Sequence, residues 1–195
     1  MPRCREVTYL LLENSNLSGD WQRIRCLELG NILHSMARVN QLLEHEDYIC
    51  YMEKIDVLEK GRLFCKHGFE HGLNVARIAY AYLLEKGQLL LPKESVYAAA
   101  FLHDIGRWVE YETGEDHAEA SARLALPLLE ACRFSLDDIQ VILKGIREHR
   151  RHHEDNLTLL GAALALADDW ARDCRHCSVQ TLCYKYNQAM NQVMY

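Results

Sequence analysis

Apolar positions recur at intervals of three and four along nearly the whole chain, and no run shows the strict alternation of a half-buried strand. Phe69, Leu73, Ala76, Ala79, Tyr80 and Leu83 make one such stripe, and Gly87 supplies a helix stop behind it. Leu91-Pro92-Lys93 opens a second helix whose Val96, Ala99, Ala100 and Leu102 form a small-residue packing face. Gly106 interrupts that helix just after His103-Asp104. Gly114-Glu115-Asp116 reads as a loop and an acidic start for a helix over Ala118–Cys132, with a kink expected at Pro127. Ser135-Leu136-Asp137-Asp138 resembles a capping box, and its helix carries Ile139, Ile142, Leu143 and Ile146 toward His149. Arg150 to Asn156 is polar and loop-like, and Leu157 to Trp170 is a last apolar helix. Upstream, Asn14 to Gly19 is rich in turn residues, and Trp21 to Leu33 fits a helix without any chemistry of its own. The pattern predicts an all-α domain.

Length and composition narrow this further. A chain of 195 residues has the size of one domain and buries roughly 70% of its unfolded surface without help from disulfides. With 49% hydrophobic and 26% charged residues it is not a disordered or low-complexity chain. The net charge of −6 argues against non-specific binding to nucleic acid or anionic membranes. No apolar run approaches the roughly 20 residues of a membrane helix. Val7 to Leu12 is too short for a secretory signal, so a cytoplasmic location is expected. The eight cysteines then read as thiols or metal ligands rather than as a disulfide framework.

Ten histidines change the picture more than any other count. His71, His103-Asp104, His117, His149 and Asp168 each lie on a predicted helix or at its end, too far apart for any local motif. Helices meeting in a bundle would have to assemble them. His103-Asp104 ends the apolar run Ala98-Ala99-Ala100-Phe101-Leu102, and Asp168 follows Leu164-Ala165-Leu166-Ala167. Burying an imidazole and carboxylates there costs several kcal/mol unless they are paired or metal-bound.

His71-Gly72-Leu73-Asn74-Val75-Ala76, Ala100-Phe101-Leu102-His103-Asp104-Ile105-Gly106-Arg107 and Leu166-Ala167-Asp168 together resemble the HD-domain metal-dependent phosphohydrolases. The resemblance spans about residues 64–172 and is nearest to uncharacterised bacterial members with a cysteine-rich C-terminal tail. It implies a helical bundle in which His71, His103, Asp104 and Asp168 hold one metal. In the subset with two metals, His117 and His149 hold the second and Asp104 bridges. Imidazole-rich sites favour Fe, Mn, Co, Ni or Zn over Mg. The ordinary alternative makes His117 and His149 helix-terminal or solvated histidines.

Arg107 falls where many relatives have lysine, four residues after His103, on the same face if the helix persists past Gly106. It either grips phosphate bidentately or is a surface arginine. His67, four before His71, is an acid near the metals, an alternative ligand, or a loop histidine. The run Arg147, Arg150, Arg151, His152 and His153 either recruits an anion or is a solvated face. Trp108, Tyr111 and Trp170 lie near the ligands and either stack on a base or pack in the site wall. No clear equivalent of the general-acid glutamate of some nucleotidases is found.

Cys174-Arg175-His176-Cys177 and Cys183 give a Cys-x2-Cys-x5-Cys tail. This spacing suits a structural zinc or an iron–sulfur cluster whose fourth ligand is His176, Cys65, Cys132 or solvent. The alternative is a set of buried or reactive thiols. The expected organisation is an extension over residues 1–35, a core domain over 36–172 and the tail over 173–195. Met36 is a candidate physiological start, which a truncation there that failed to fold would refute. The function expected from the resemblance is hydrolysis of a small-molecule, nucleotide-like phosphate ester or anhydride by metal-activated hydroxide. Two rivals keep the same ligands, a non-catalytic metal or nucleotide sensor and a di-iron oxidase.

Overall fold

The computed structural model describes residues 36–88, 90–151 and 156–183, together with Lys185, Tyr186 and Gln192. The extension expected over residues 1–35, with its turn and helix, lies outside the described residues, as do His152 and His153. The described residues form eight α-helices and one 3-10 turn, with no strand among them. The helices are α1 (Ala37–Leu43), α2 (Glu46–Leu58), α3 (Phe69–Glu85), α4 (Lys93–Leu102), α5 (Arg107–Thr113), α6 (His117–Ala131), α7 (Leu136–Glu148) and α8 (Leu159–Trp170).

Helix α4 is the centre. Ser95, Val96 and every residue from Ala98 to Leu102 are buried, as expected of a helix apolar on all sides. It packs against α3, α7 and α1; α8 closes on α3 and α7, and α6 on α7 and α5. Side chains cap the helices where the sequence placed turn residues. Asp116 accepts from the backbone N–H groups of Ala118 and Glu119, Ser135 from Asp138, and Thr158 from Gly161. Only half of the expected capping box forms, because Asp138 takes Arg38 and Ser95 as partners across the fold. Gly87, at φ +69, follows α3 where the stop was expected. Pro127 lies inside α6, which runs on past it to Ala131.

The interruption expected at Gly106 is present, so Arg107 does not share a helix with His103. The helix ends at Leu102, residues 103–106 form a turn, and Arg107 starts α5. Gly106 is needed for close approach: a Cβ there would sit 2.7 Å from the His117 carbonyl oxygen and against the Ser121 backbone. Its N–H donates to Ser121 Oγ at 2.8 Å, fastening the turn to the first turns of α6. No helix among the described residues is long and apolar enough to cross a membrane.

Candidate metal centre

The residues that the sequence spreads over almost a hundred positions come together in one buried place. His71 stands on α3, His103 and Asp104 on the turn after α4, His117 at the start of α6, His149 just past α7 and Asp168 near the end of α8. All six are buried, His71 least so at 8% exposure. Two groups converge, His71, His103, Asp104 and Asp168 in one, Asp104, His117 and His149 in the other.

Asp104 divides its two oxygens between them. Its Oδ2 is 3.2 Å from His103 Nε2 and 3.6 Å from His71 Nε2. Its Oδ1 is 3.2 Å from His117 Nε2 and 3.9 Å from His149 Nε2. On the first side Asp168 Oδ1 lies 3.1 Å from His71 Nε2. Donor atoms about 2.1 Å from a common ion stand about 3 Å apart at right angles, so these are separations a bound cation would draw together.

The hydrogen bonds tell the same story. His103 Nδ1 meets the Ala100 carbonyl and His149 Nδ1 the Ile146 carbonyl, both at 2.6 Å. A carbonyl only accepts, so in each ring Nδ1 carries a proton, which leaves Nε2 as the nitrogen that can turn a lone pair to a metal. His117 Nδ1 is 2.8 Å from Glu110 Oε2, which fixes that ring in the same sense. His117 Nε2 and His149 Nε2 then face each other at 3.3 Å. His71 Nε2, His103 Nε2 and Asp104 Oδ2 are buried with no aligned hydrogen-bond partner. Such orphaned polar atoms are costly to bury, and this ligand set fits a divalent metal on each side of Asp104.

Charge follows from the same geometry. Burial opposes ionisation of Asp104, yet His103, Arg107 and His67 beside it hold its carboxyl well below the usual range. Asp168 is also low, against burial, through His103, His71 and Arg172. Burial disfavours a charge on His103, but Asp104 and Asp168 outweigh it and push the ring up to about 10. Burial, reinforced by the charge on His103, pushes His149 down to about 3. Without metal the centre thus keeps a proton on His103, which an arriving cation displaces.

The other expected site residues fall as follows. Arg107 is not on a shared helical face with His103; from the first turn of α5 its Nε donates to Asp104 Oδ1 at 2.9 Å. His67 lies in the loop before α3 and is not the cap of that helix, which is Gly68. It is buried, with Nδ1 2.5 Å from Glu59 Oε1 and Nε2 3.9 Å from Asp104 Oδ2. Arg147 pairs with Glu119, and Arg150 with Asp116 and Glu110, so these two do not form an open basic face. Trp108 stacks on Tyr51 of α2 with Lys54 over its ring, and is packing. Trp170 lines a surface groove with Asn74 and Arg77. Cys174, Cys177 and Cys183 are free and half-buried, and no three ligand atoms including them lie within 4.8 Å of one another among the described residues.

Four contributors escaped the sequence. Glu59 holds His67 and accepts from Tyr111 Oη at 2.5 Å. Glu110 orients His117, Arg172 donates to Asp168 Oδ1 at 2.5 Å, and Lys185 lies 3.7 Å from Asp168 Oδ2. Glu59 left one trace, a carboxylate at a helix C-terminus where the macrodipole disfavours it.

Comparisons with known proteins bear on the family and the fold. The HD domain family matches residues 68–173. An uncharacterised protein of Clostridium beijerinckii is 37% identical over 142 residues, covering 73% of this chain and 88% of that protein. A crystal structure described as a predicted HD superfamily hydrolase, from an uncultured Thermotogales bacterium, superposes with a TM-score of 0.55. It covers 76% of this chain and 81% of its own at 24% identity, a likeness of fold.

Proposed function

Because the chain belongs to the HD-domain family, whose members bind divalent metals, we propose that it is a two-metal phosphohydrolase acting on a nucleotide-like phosphate ester or anhydride. The observation that carries this reading is the divided carboxylate of Asp104, one oxygen in each histidine group. Bound divalent metals supply Lewis-acid chemistry there, lowering the pKa of a nucleophilic water and neutralising phosphoryl oxygens. Two such ions against the two carboxylates leave roughly two positive charges, which suits an anionic substrate.

The chain's own residues do the rest. Arg107 holds Asp104 Oδ1 in place, and Arg172 does the same for Asp168. Burial lowers the pKa of His67, so the ring is neutral near pH 7 and its Nδ1 proton faces the ionised Glu59. That leaves Nε2, beside Asp104, to take a proton from the attacking water. Lys185, close to Asp168, adds positive charge for the phosphoryl group.

The test is elemental analysis of anaerobically purified full-length chain and His117→Ala, with a phosphate-release screen over nucleotides and phosphate esters. Two equivalents of Fe, Mn, Co, Ni or Zn at the His/Asp centre, falling to one in the variant, with phosphate release, support the reading. Oxygen consumption without phosphate release would turn it into an oxidase. Tight nucleotide binding without product under every metal would make it a sensor.

A further inference from the structure

We propose that Cys65, Cys174, Cys177 and Cys183 form a second metal site, a four-thiolate iron–sulfur centre that ties the C-terminal tail to the loop before α3. Cys65, Cys174 and Cys183 line one cavity of about 50 Å³, room for several water molecules and so for more than a single ion. The backbone N–H of Cys177 donates to the Cys174 carbonyl at 3.4 Å, closing the turn between the first pair. The Gln180 side chain donates to the same carbonyl at 2.7 Å, and the 3-10 turn Gln180–Leu182 brings Cys183 back toward it. The thiol of Cys174 is within electrostatic reach of the other three.

The remaining candidates for the fourth ligand are elsewhere. Cys132 is fully buried in the hydrophobic core. His176 is exposed, with Nδ1 2.8 Å from Asp173. Only Cys65 shares both the cavity and the half-buried state of the tail thiols.

Charge and packing both call for a metal here. Arg62, Arg107, Arg172 and Lys185 line the same cavity with one carboxylate, Asp169, and with His67, so it adjoins the His/Asp centre and has a cationic lining suited to the negative charge of a thiolate centre. No described residue after Asp168 is fully buried, so the tail has no apolar core of its own to hold it. Segments without a core are ordinarily stapled by metal or disulfide, and these cysteines are free. The volume selects among metals. Four sulfurs about 2.3 Å from one zinc ion enclose that single ion, whereas this cavity has room for more. A cluster, with several iron atoms between its thiolates, fills the larger space.

The experiment measures iron, zinc and acid-labile sulfide per chain, with the visible absorption of thiolate-bound iron, in anaerobically purified full-length protein. Wild type and Cys50→Ser, which alters an exposed cysteine, are expected to contain sulfide and its iron. Cys65→Ser and Cys177→Ser are expected to lose both and to keep the His/Asp metals and the helical circular dichroism. Only a cluster contains acid-labile sulfide, so this loss is distinct from any failure at the His/Asp centre. One zinc without sulfide, lost in the same variants, would overturn the cluster. Metal content indifferent to Cys65→Ser, with all four native thiols alkylated as fast as Cys50, would overturn the site itself.

Discussion

The two oxygens of Asp104 keep unlike company. On the Oδ2 side stand His71, His103 and a second carboxylate, Asp168, with three buried atoms that find no hydrogen-bond partner. On the Oδ1 side stand two imidazoles, His117 and His149, whose outer nitrogens are taken up by Glu110 and a backbone carbonyl, together with the Arg107 guanidinium, which donates to Oδ1. Four protein ligands against three, and two carboxylates against the shared one, make the first side the tighter and more closed. The second keeps more open coordination, the condition for meeting substrate and water. Under the two-metal proposal the centre would offer one tighter position and one more exchangeable position around a shared carboxylate.

The largest expected effect breaks both at once. Asp104→Ala should reduce hydrolysis to background and remove metal from both sides, read by elemental analysis beside a phosphate assay; retention of one full equivalent would show the sides to be independent. His67→Ala should lower hydrolysis by about 10²-fold, the usual worth of a proton-transfer group, with metal content and KM little changed. If metal is lost with it, His67 is a ligand rather than a base. Glu110→Gln sharpens the contrast between the sides. Loosening the outer nitrogen of His117 should weaken the second metal by about 10-fold and leave the first untouched, as seen by graded chelation.

The smallest effect is acid sensitivity in chelated protein. Burial opposes ionisation of Glu59, but hydrogen bonds from His67 and Tyr111 bring its pKa from 4.5 down to about 2. A folded-state pKa below the unfolded one gives stability that is complete above pH 4.5 and is lost as pH falls toward 2. Urea unfolding should show that decline in wild type and a flatter profile in Glu59→Gln; identical slopes would remove Glu59 from the account.

Most of the helical framework was legible because its apolar spacing is regular and its ends carry Ser135, Asp116 and Gly87, residues whose local physics needs no tertiary context. The six candidate ligands were legible as an ordered set, and the structure brings all six together. What the sequence hid is whatever depends on two helices touching. Gly106 was legible as a helix interruption, but the backbone of α6 pressing on it was not, because nothing in the local sequence reports that pressure. Glu59 and Tyr111 are 52 positions apart and become one proton network only after α2 meets α5. Arg107 was read as a phosphate-gripping or surface arginine, and its bond to Asp104 arises only from the turn at 103–106.

That contact at Gly106 also acts as a gauge. The turn bearing Asp104 rests directly on the first turns of α6, which begin with His117, so a single methyl group at Gly106 would wedge the bridging carboxylate away from its second partner. In a mutational library, the position least tolerant of change would then include a residue that binds nothing. Anyone seeking to retune the separation of two metal ions on this scaffold would do better to alter the seam between the turn and the helix than the ligands themselves.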